Sequence, residues 1–309
     1  MLKIGSGAGF AGDRLEPAQL LIQQGNLDYL VLECLAERTI ALAQKEKLKN
    51  PQLGYDALLE KRIRLLLPEL IEKKVRLITN MGAANPLAGA EKIIQIAKEL
   101  HIPCRVAAVT GDDVLAKLDR NQPVLESKRS IASYEPILSA NAYLGIDALL
   151  PALETEADII ITGRVADPSL FLAPMVYHFG WQLDDYDRLG QGTVIGHLLE
   201  CAGQISGGYF ADPGKKEVPN LAHLGFPYAI IQPDGSAVIT KPEGTGGVIN
   251  LQTVKEQLLY EVHNPEEYVT PDVIANFSTV QLERIGPNMV AVRNGTGKEK
   301  PAKLKVSVG

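Results

Sequence analysis

Cysteine is scarce in this chain of 309 residues: only Cys34, Cys104 and Cys201 occur. They lie in or beside apolar runs without metal-ligand spacing, so they read as small core residues kept reduced, not as a disulfide frame. Long apolar runs are missing as well, and none approaches the roughly 18–20 residues that cross a bilayer. The chain does not open on a basic flank followed by an apolar stretch, so no secretory leader is expected and the cytoplasm is the expected compartment. Positive charge is in deficit, with 31 Lys and Arg against 37 Asp and Glu and a net charge of -6. Without a basic stripe to neutralise phosphates, the composition argues against a nucleic-acid partner. The basic cluster Lys298, Lys300, Lys303 and Lys305 is interrupted and reads as a solvated edge. The chain has no GxSxG elbow, GxxxxGK[ST] loop, HExxH or CxxC, which removes the α/β-hydrolase, P-loop and zinc-protease readings. Internal repeats and low-complexity linkers are absent too.

What remains is an ordinary globular composition, 46% hydrophobic and 22% charged, with room for one large α/β domain or one plus a smaller one. The runs 29–33, 75–79, 104–109 and 158–162 are near-continuously apolar, as parallel strands covered on both faces should be. Helical patterns lie around them at 17–25, 35–47, 54–73, 88–100 and 137–153. Pro68 inside the third predicts a kink or a break. The alternation predicts an α/β fold, a mainly parallel sheet flanked by helices. Beyond the turn-rich stretch 211–216 come short strands at 228–232, 237–240, 279–284, 289–293 and 304–308, with a helix at 251–263. Residues 1–210 are therefore expected to form a parallel α/β domain holding the site. Residues 211–309 form a smaller α+β portion, with the option that both pack as one unit.

In a parallel α/β sheet ligands sit beyond the carboxyl ends of the strands. The first strand is followed by Gly5-Ser6-Gly7-Ala8-Gly9-Phe10-Ala11-Gly12-Asp13-Arg14, and Gly7-x-Gly9-x-x-Gly12 satisfies the dinucleotide fingerprint. Glu33 stands where a ribose-binding acid belongs. Against a dinucleotide, Asp13 and Arg14 follow the third glycine where apolar helix residues should pack. The other strand ends carry Glu33 with Glu37 and Arg38, Asn80 to Asn85, Asp112 with Asp113, and Arg164 to Asp167.

Each of these admits two readings. Glu33 closes an apolar strand and must find donors or hold its proton. It is either a general base or substrate-hydroxyl ligand, or an acid paired with Arg38 or Arg14 or capping a helix. Glu37 is a first-turn helix charge on the same face as Glu33. Asp112 and Asp113 are hard oxygen donors or helix caps. Arg164 captures a carboxylate or phosphate, or pairs with Asp167. His197 and Glu200, three apart on a helix, act in acid–base chemistry, bind a metal, or simply satisfy one another. Lys241, ahead of Gly244-Thr245-Gly246-Gly247, either faces an anion wrapped by that turn or belongs to a plain hairpin.

The order of these motifs is itself informative: the glycine loop with Asp-Arg, Tyr29-Leu-Val-Leu-Glu-Cys-Leu-Ala-Glu-Arg-Thr39 and Thr79-Asn-Met-Gly-Ala-Ala-Asn-Pro86. Then come Thr110-Gly-Asp-Asp113, Ser139-Ala-Asn-Ala-Tyr-Leu-Gly145, Ile161-Thr-Gly-Arg-Val-Ala-Asp167, Gly196-His-Leu-Leu-Glu-Cys201 and Lys241-Pro-Glu-Gly-Thr-Gly-Gly247. In this it resembles the acyclic terpene utilisation (AtuA-type) family over essentially its whole length. The resemblance implies bacterial catabolism of branched acyl compounds, of the citronellol or geraniol kind, through CoA thioesters. It also implies longer relatives with a further small C-terminal domain, so a partner subunit or further segment is expected.

Three functions compete. The first is a lyase- or hydratase-like enzyme. There Glu33 and Glu37 move a proton, Arg164 holds a carboxylate, His197 joins the acid–base work, and Asn80, Asn85 and Asn141 orient the substrate. Gly7, Gly9, Arg14, Asp112, Asp167 and Lys241 complete the binding wall. The second is a nicotinamide oxidoreductase, and the third a non-catalytic subunit of an acyl-CoA-processing complex. The sequence identifies no cofactor and indicates no metal. The partners it points to are a small acyl or carboxylate substrate and a second copy or small subunit, with no nucleic acid and no membrane. The enzyme reading requires Glu33, Asn80, Asp112 and Arg164 to meet in one crevice.

Overall fold

The computed structural model describes residues 1–134 and 136–309. From the N-terminus, β1 (Leu2–Ala8) is followed by α1 (Glu16–Gln24), β2 (Tyr29–Leu32), α2 (Glu37–Lys49), α3 (Leu59–Lys73), β3 (Arg76–Thr79), α4 (Pro86–Glu99) and β4 (Val106–Val109). Next come β5 (Ala140–Ala142), α5 (Ile146–Glu154), β6 (Ile159–Thr162), α6 (Ser169–Phe179) and α7 (Tyr186–Glu200). The remainder holds β7 (Tyr228–Ile231), β8 (Ala237–Thr240), α8 (Leu251–Leu259), β9 (Tyr268–Val269), β10 (Ile274–Asn276), β11 (Gln281–Gly286), β12 (Met289–Arg293), β13 (Thr296–Lys298) and β14 (Val306–Val308).

Nine strands make one sheet in the order β11-β12-β8-β7-β1-β2-β3-β6-β4. The run β1-β2-β3-β6-β4 is parallel throughout. β7, β8, β12 and β11 extend it from the other side of β1 with antiparallel pairing. Small antiparallel sheets, β13-β10-β9 and β14-β5, lie outside it. The fold is α/β, as the strand and helix alternation predicted.

The parallel strands are near-continuously apolar, as strands covered on both faces should be. Leu30, Leu77, Ile159 and Ile161 pack with Leu21, Ile63, Leu67 and Ile93 of α1, α3 and α4. Their neighbours Val31, Ile78 and Ile160 point the other way, into Leu149, Phe171, Ile195 and Val254 of α5 to α8. Burying each such side chain stabilises the fold by about 1.5–3 kcal/mol. α7 is buried at every residue from Leu189 to Glu200, the condition under which a helix needs no polar face. Among the described residues no helix is long and apolar enough to cross a membrane.

Some expectations needed correction. The stretch 137–153 is not one helix: Ala140–Ala142 pairs with β14, and α5 begins only at Ile146. α3 starts at Leu59 and runs unbroken past Pro68. Pro68 sits on the exposed side of the helix, where a ring in place of an N–H meets solvent and not the core. α6 was not anticipated, and neither were the short strands β9, β10 and β13, which are too brief to show a period.

Asp272, between β9 and β10, ties distant elements together. Its Oδ1 accepts from the Ile146 N–H at 2.7 Å, capping α5, whose N-cap is Gly145 without a side-chain cap. Its Oδ2 accepts from the hydroxyl of Ser169, the first residue of α6. Asp272→Ala should cost about 1–3 kcal/mol in a denaturant titration, and Asp272→Asn less. An unchanged midpoint in the alanine variant would contradict this tie.

Candidate active site

At the C-terminal rim of the parallel strands lies a cavity of about 940 Å³. Its wall includes Gly9 after β1, Glu33 and Glu37 after β2, Arg164 and Asp167 after β6, and Glu200 at the end of α7. Tyr268 of β9 and Lys305 ahead of β14 close the opposite side.

Glu33 follows directly on β2, and its N–H donates to Ala8 O at 3.0 Å, so the backbone is held in the sheet. The side chain is 7% exposed. Its Oε1 accepts from Asn80 Nδ2 at 2.9 Å and from Leu35 N at 2.8 Å. No described residue donates to Oε2. Asn80, after β3, is fully buried and fixes the loop a second time by accepting from Cys34 N at 2.7 Å. Burial pushes the Glu33 carboxyl up to about 8, the Asp167 charge adds to the rise, and Arg164 pulls against it.

Arg164 is 1% exposed, and a charge so placed must be satisfied by the protein. Nε and Nη2 donate to Val165 O at 3.1 and 2.7 Å, Nη2 also to Asp167 Oδ1, and Nη1 to Leu35 O. That uses all but one of its N–H groups. The guanidinium lies 4.5 Å from the centre of the Tyr143 ring. Its backbone N–H donates to Asp112 Oδ2 at 2.9 Å, and Asn141 Nδ2 donates to the same oxygen at 2.9 Å. A side chain at 163 would place a Cβ 2.6 Å from both Asp112 carboxylate oxygens, so the glycine permits this approach. Asp112 and Asn141 thus stand behind Arg164 as its support.

Asp167 is pushed up by burial, pulled down by Arg164 and pushed up again by Glu37. Glu37 opens α2 and accepts from the Tyr143 hydroxyl and, at 3.5 Å, from Lys305 Nζ. Against the rise that desolvation brings, the Tyr143 hydroxyl and the nearby cations hold its carboxyl below the usual range. Lys305 Nζ also lies 4.7 Å from the Tyr143 ring, on which Arg164 sits as well. The basic C-terminal cluster therefore contributes two cavity-lining cations, Lys303 and Lys305, as well as a solvated edge.

Glu200 ends α7 and is 9% exposed. Its Oε1 lies 2.8 Å from His197 Nδ1, and its Oε2 is buried without a partner. His197 is 1% exposed and does not line the cavity; its Nε2 lies 2.9 Å from Gln257 O. Burial pushes the Glu200 carboxyl up to about 7 against the pull of His197.

The remaining predicted residues lie elsewhere or act indirectly. Gly7 is inside β1, packed on Leu32 and Ala18. Gly9 does line the cavity, but a Cβ there would meet the Cys201 backbone at 2.5 Å, so its close approach is to the chain itself. Arg14 is outside the lining, with its guanidinium 4.0 Å from Glu16. Asn85 caps α4 and donates to Pro51 O and Leu53 O. Lys241 donates to Thr245 O and Oγ1 at 2.8 and 3.1 Å, away from the cavity. Asp13 spans the glycine loop: its carboxylate accepts from Gly9 N at 2.9 Å and Arg14 N at 2.8 Å.

Of the four residues required to meet, Glu33 and Arg164 line the cavity, while Asn80 and Asp112 hold them from behind. Sequence reasoning missed Tyr143, Tyr268 and Lys305 as wall residues, and it saw Glu200 only as a partner of His197. Among the described residues no group of three His, Cys, Asp or Glu side chains is placed to hold a metal ion.

The raised carboxyls have a consequence for stability. Glu33 and Glu200 keep their protons to about 8 and 7 when folded, against 4.5 when unexposed to these surroundings. Between those values the folded state binds more protons, so stability falls as pH rises from about 5 through 8. Each tenfold change in proton affinity is worth about 1.4 kcal/mol. Thermal unfolding at successive pH values should show this decline, with Glu33→Gln flattening its upper part. A wild-type midpoint that climbs from pH 6 to 9 would contradict the assignment.

No curated protein and no solved structure is similar enough to match the chain. The family model described as "Acyclic terpene utilisation family protein AtuA" matches residues 2–309. With that match covering the glycine loop, the Glu33 and Arg164 strand ends and the cavity's C-terminal wall alike, the chain belongs to the acyclic terpene utilisation family.

Proposed function

We propose that this protein is an enzyme, lyase- or hydratase-like, acting on a branched acyl or carboxylic-acid substrate of acyclic terpene catabolism carried as a CoA thioester. The family supplies the substrate setting. The observation that carries the chemistry is Glu33, a carboxyl buried in a cavity wall whose titration lies at about 8. At neutral pH it is an acid with its proton in place, suited to general acid catalysis. Both N–H donors occupy Oε1, so the proton belongs on Oε2, the oxygen left for the substrate.

Arg164 spends its N–H groups on Leu35, Val165 and Asp167. Its part is therefore a fixed positive charge beside Glu33 and Asp167 more than an open carboxylate fork. A cavity of this volume accommodates a branched acyl chain with room for its thioester. The glycine loop does not support a nicotinamide, because Asp13 already takes the N–H groups that a pyrophosphate would need.

Purified protein should interconvert branched 3-hydroxyacyl and enoyl thioesters, followed by enoyl absorbance. Glu33→Gln should lower kcat about 100-fold or more. Loss of the Glu33 proton should make the wild-type rate fall as pH rises through about 8, a limb that the variant lacks. Full activity in Glu33→Gln would overturn the proposal, as would no turnover of any branched thioester.

A further inference from the structure

The acid at Glu33 leaves the complementary base unassigned, and the end of α7, which lines the same cavity, carries a candidate. Gln257 O is a backbone carbonyl and only accepts, so the His197 nitrogen 2.9 Å from it, Nε2, must carry a hydrogen. That fixes the state of the other nitrogen. A neutral His197 then presents a lone pair at Nδ1, and a charged Glu200 presents another at Oε1, only 2.8 Å away. Two lone pairs do not face each other at that separation, so one proton lies between them. When this proton rests on Nδ1, Glu200 is a carboxylate and Oε2 is its free basic oxygen; when it rests on Oε1, the carboxyl is neutral and His197 must take the proton before Oε2 acts. Oε2 is buried, meets no donor, and belongs to a residue of the cavity wall.

The surroundings hold this arrangement in place. The His197 ring packs on Tyr268 and Phe277, at centroid distances of 5.3 and 5.2 Å. Gln257 Nε2 returns a hydrogen bond to His197 O at 3.2 Å. The other charged groups acting on Glu200 are Asp167 and Glu261, which also line the cavity. Glu33 and Glu200 each have one oxygen held by N–H or ring nitrogen and a second without a donor, and the second oxygen of Glu200 is buried, so it meets substrate when the side chain turns toward the cavity. They differ in where the proton sits.

We infer that Glu200 is the catalytic base of this site, acting through Oε2, and that His197 is its positioning residue. The inference rests on the lyase- or hydratase-like reading above. In the elimination direction Glu200 Oε2 takes the proton from the carbon α to the thioester carbonyl. The electron pair of that C–H bond becomes the new double bond, the β-carbon to oxygen bond breaks, and the leaving hydroxyl departs as water with the proton of Glu33. Hydration is the same sequence reversed, and atoms and charge balance in both directions.

The test uses a saturated branched acyl thioester without a β-hydroxyl, incubated in deuterium oxide and read by mass spectrometry for α-hydrogen exchange. Exchange needs the base but no leaving group. The wild type and Glu33→Gln should exchange, while Glu200→Gln should lose at least about 100-fold. His197→Gln, which cannot hold the shared proton, should move the pH dependence of exchange and leave KM near that of the wild type. Exchange at the wild-type rate in a folded Glu200→Gln variant would overturn the inference. So would loss in Glu33→Gln alone, which would exchange the two roles. Nitrogen-15 spectra of His197 provide a readout without substrate: Nε2 protonated supports the assignment, and Nε2 bare overturns it. Failure of the Glu33 reading shows separately, as undiminished elimination in Glu33→Gln.

Discussion

A guanidinium sealed under the carboxyl rim of a parallel sheet has to be neutralised from within, and around Arg164 that requirement gathers the site. Its partners come from the loop after β2, from its own strand end, and from Asp167. Its backbone N–H reaches Asp112, which follows β4. Tyr143, which follows β5, covers its face. Removing one partner would leave a buried charge short of acceptors, which is expensive in a medium that solvates it poorly. The strand ends are therefore locked in mutual register by electrostatics as well as by the hydrogen bonds of the sheet.

That lock has a chemical effect on its neighbours. Glu33 and Asp167 stand close enough to influence one another, and one cation serves both. Burial and mutual repulsion win over the attraction at Glu33, which is why its carboxyl stays protonated near neutrality. Glu37, farther out, is half exposed and takes the Tyr143 hydroxyl and Lys305 instead, so its titration moves the other way. Two glutamates four residues apart, at the two ends of the loop between β2 and α2 and not on one helix face, thus end up in opposite protonation states through differences of solvent access and partner.

Much of the fold was legible because the parallel strands are near-continuously apolar, a pattern that coverage on both faces explains. Glu33 and Arg164 were legible for a related reason: a lone charge at the end of such a strand has no routine role. Asn80 and Asp112 were readable by position, although their place behind the wall was not. Asn85 and Lys241 share the composition of site residues yet serve a helix cap and a turn. The C-terminal wall left no local signal. Lys305 and Tyr143 meet because β14 pairs with β5 across more than half the chain. Tyr268 arrives on a strand of only two residues. For Glu200, the spacing to His197 was visible, but its place in the cavity wall depends on how α7 ends against Gly9.

The chemistry proposed for this site depends on the protonation state of Glu33. Carbon-13 spectra of side-chain carboxyls, recorded across a pH series with Glu33 assigned by its Gln variant, measure that state without any substrate. A midpoint near 8 is the predicted result. A midpoint near the ordinary glutamate value of 4.5 would contradict it, because the carboxyl would then be an ordinary ion at neutral pH with no proton to give.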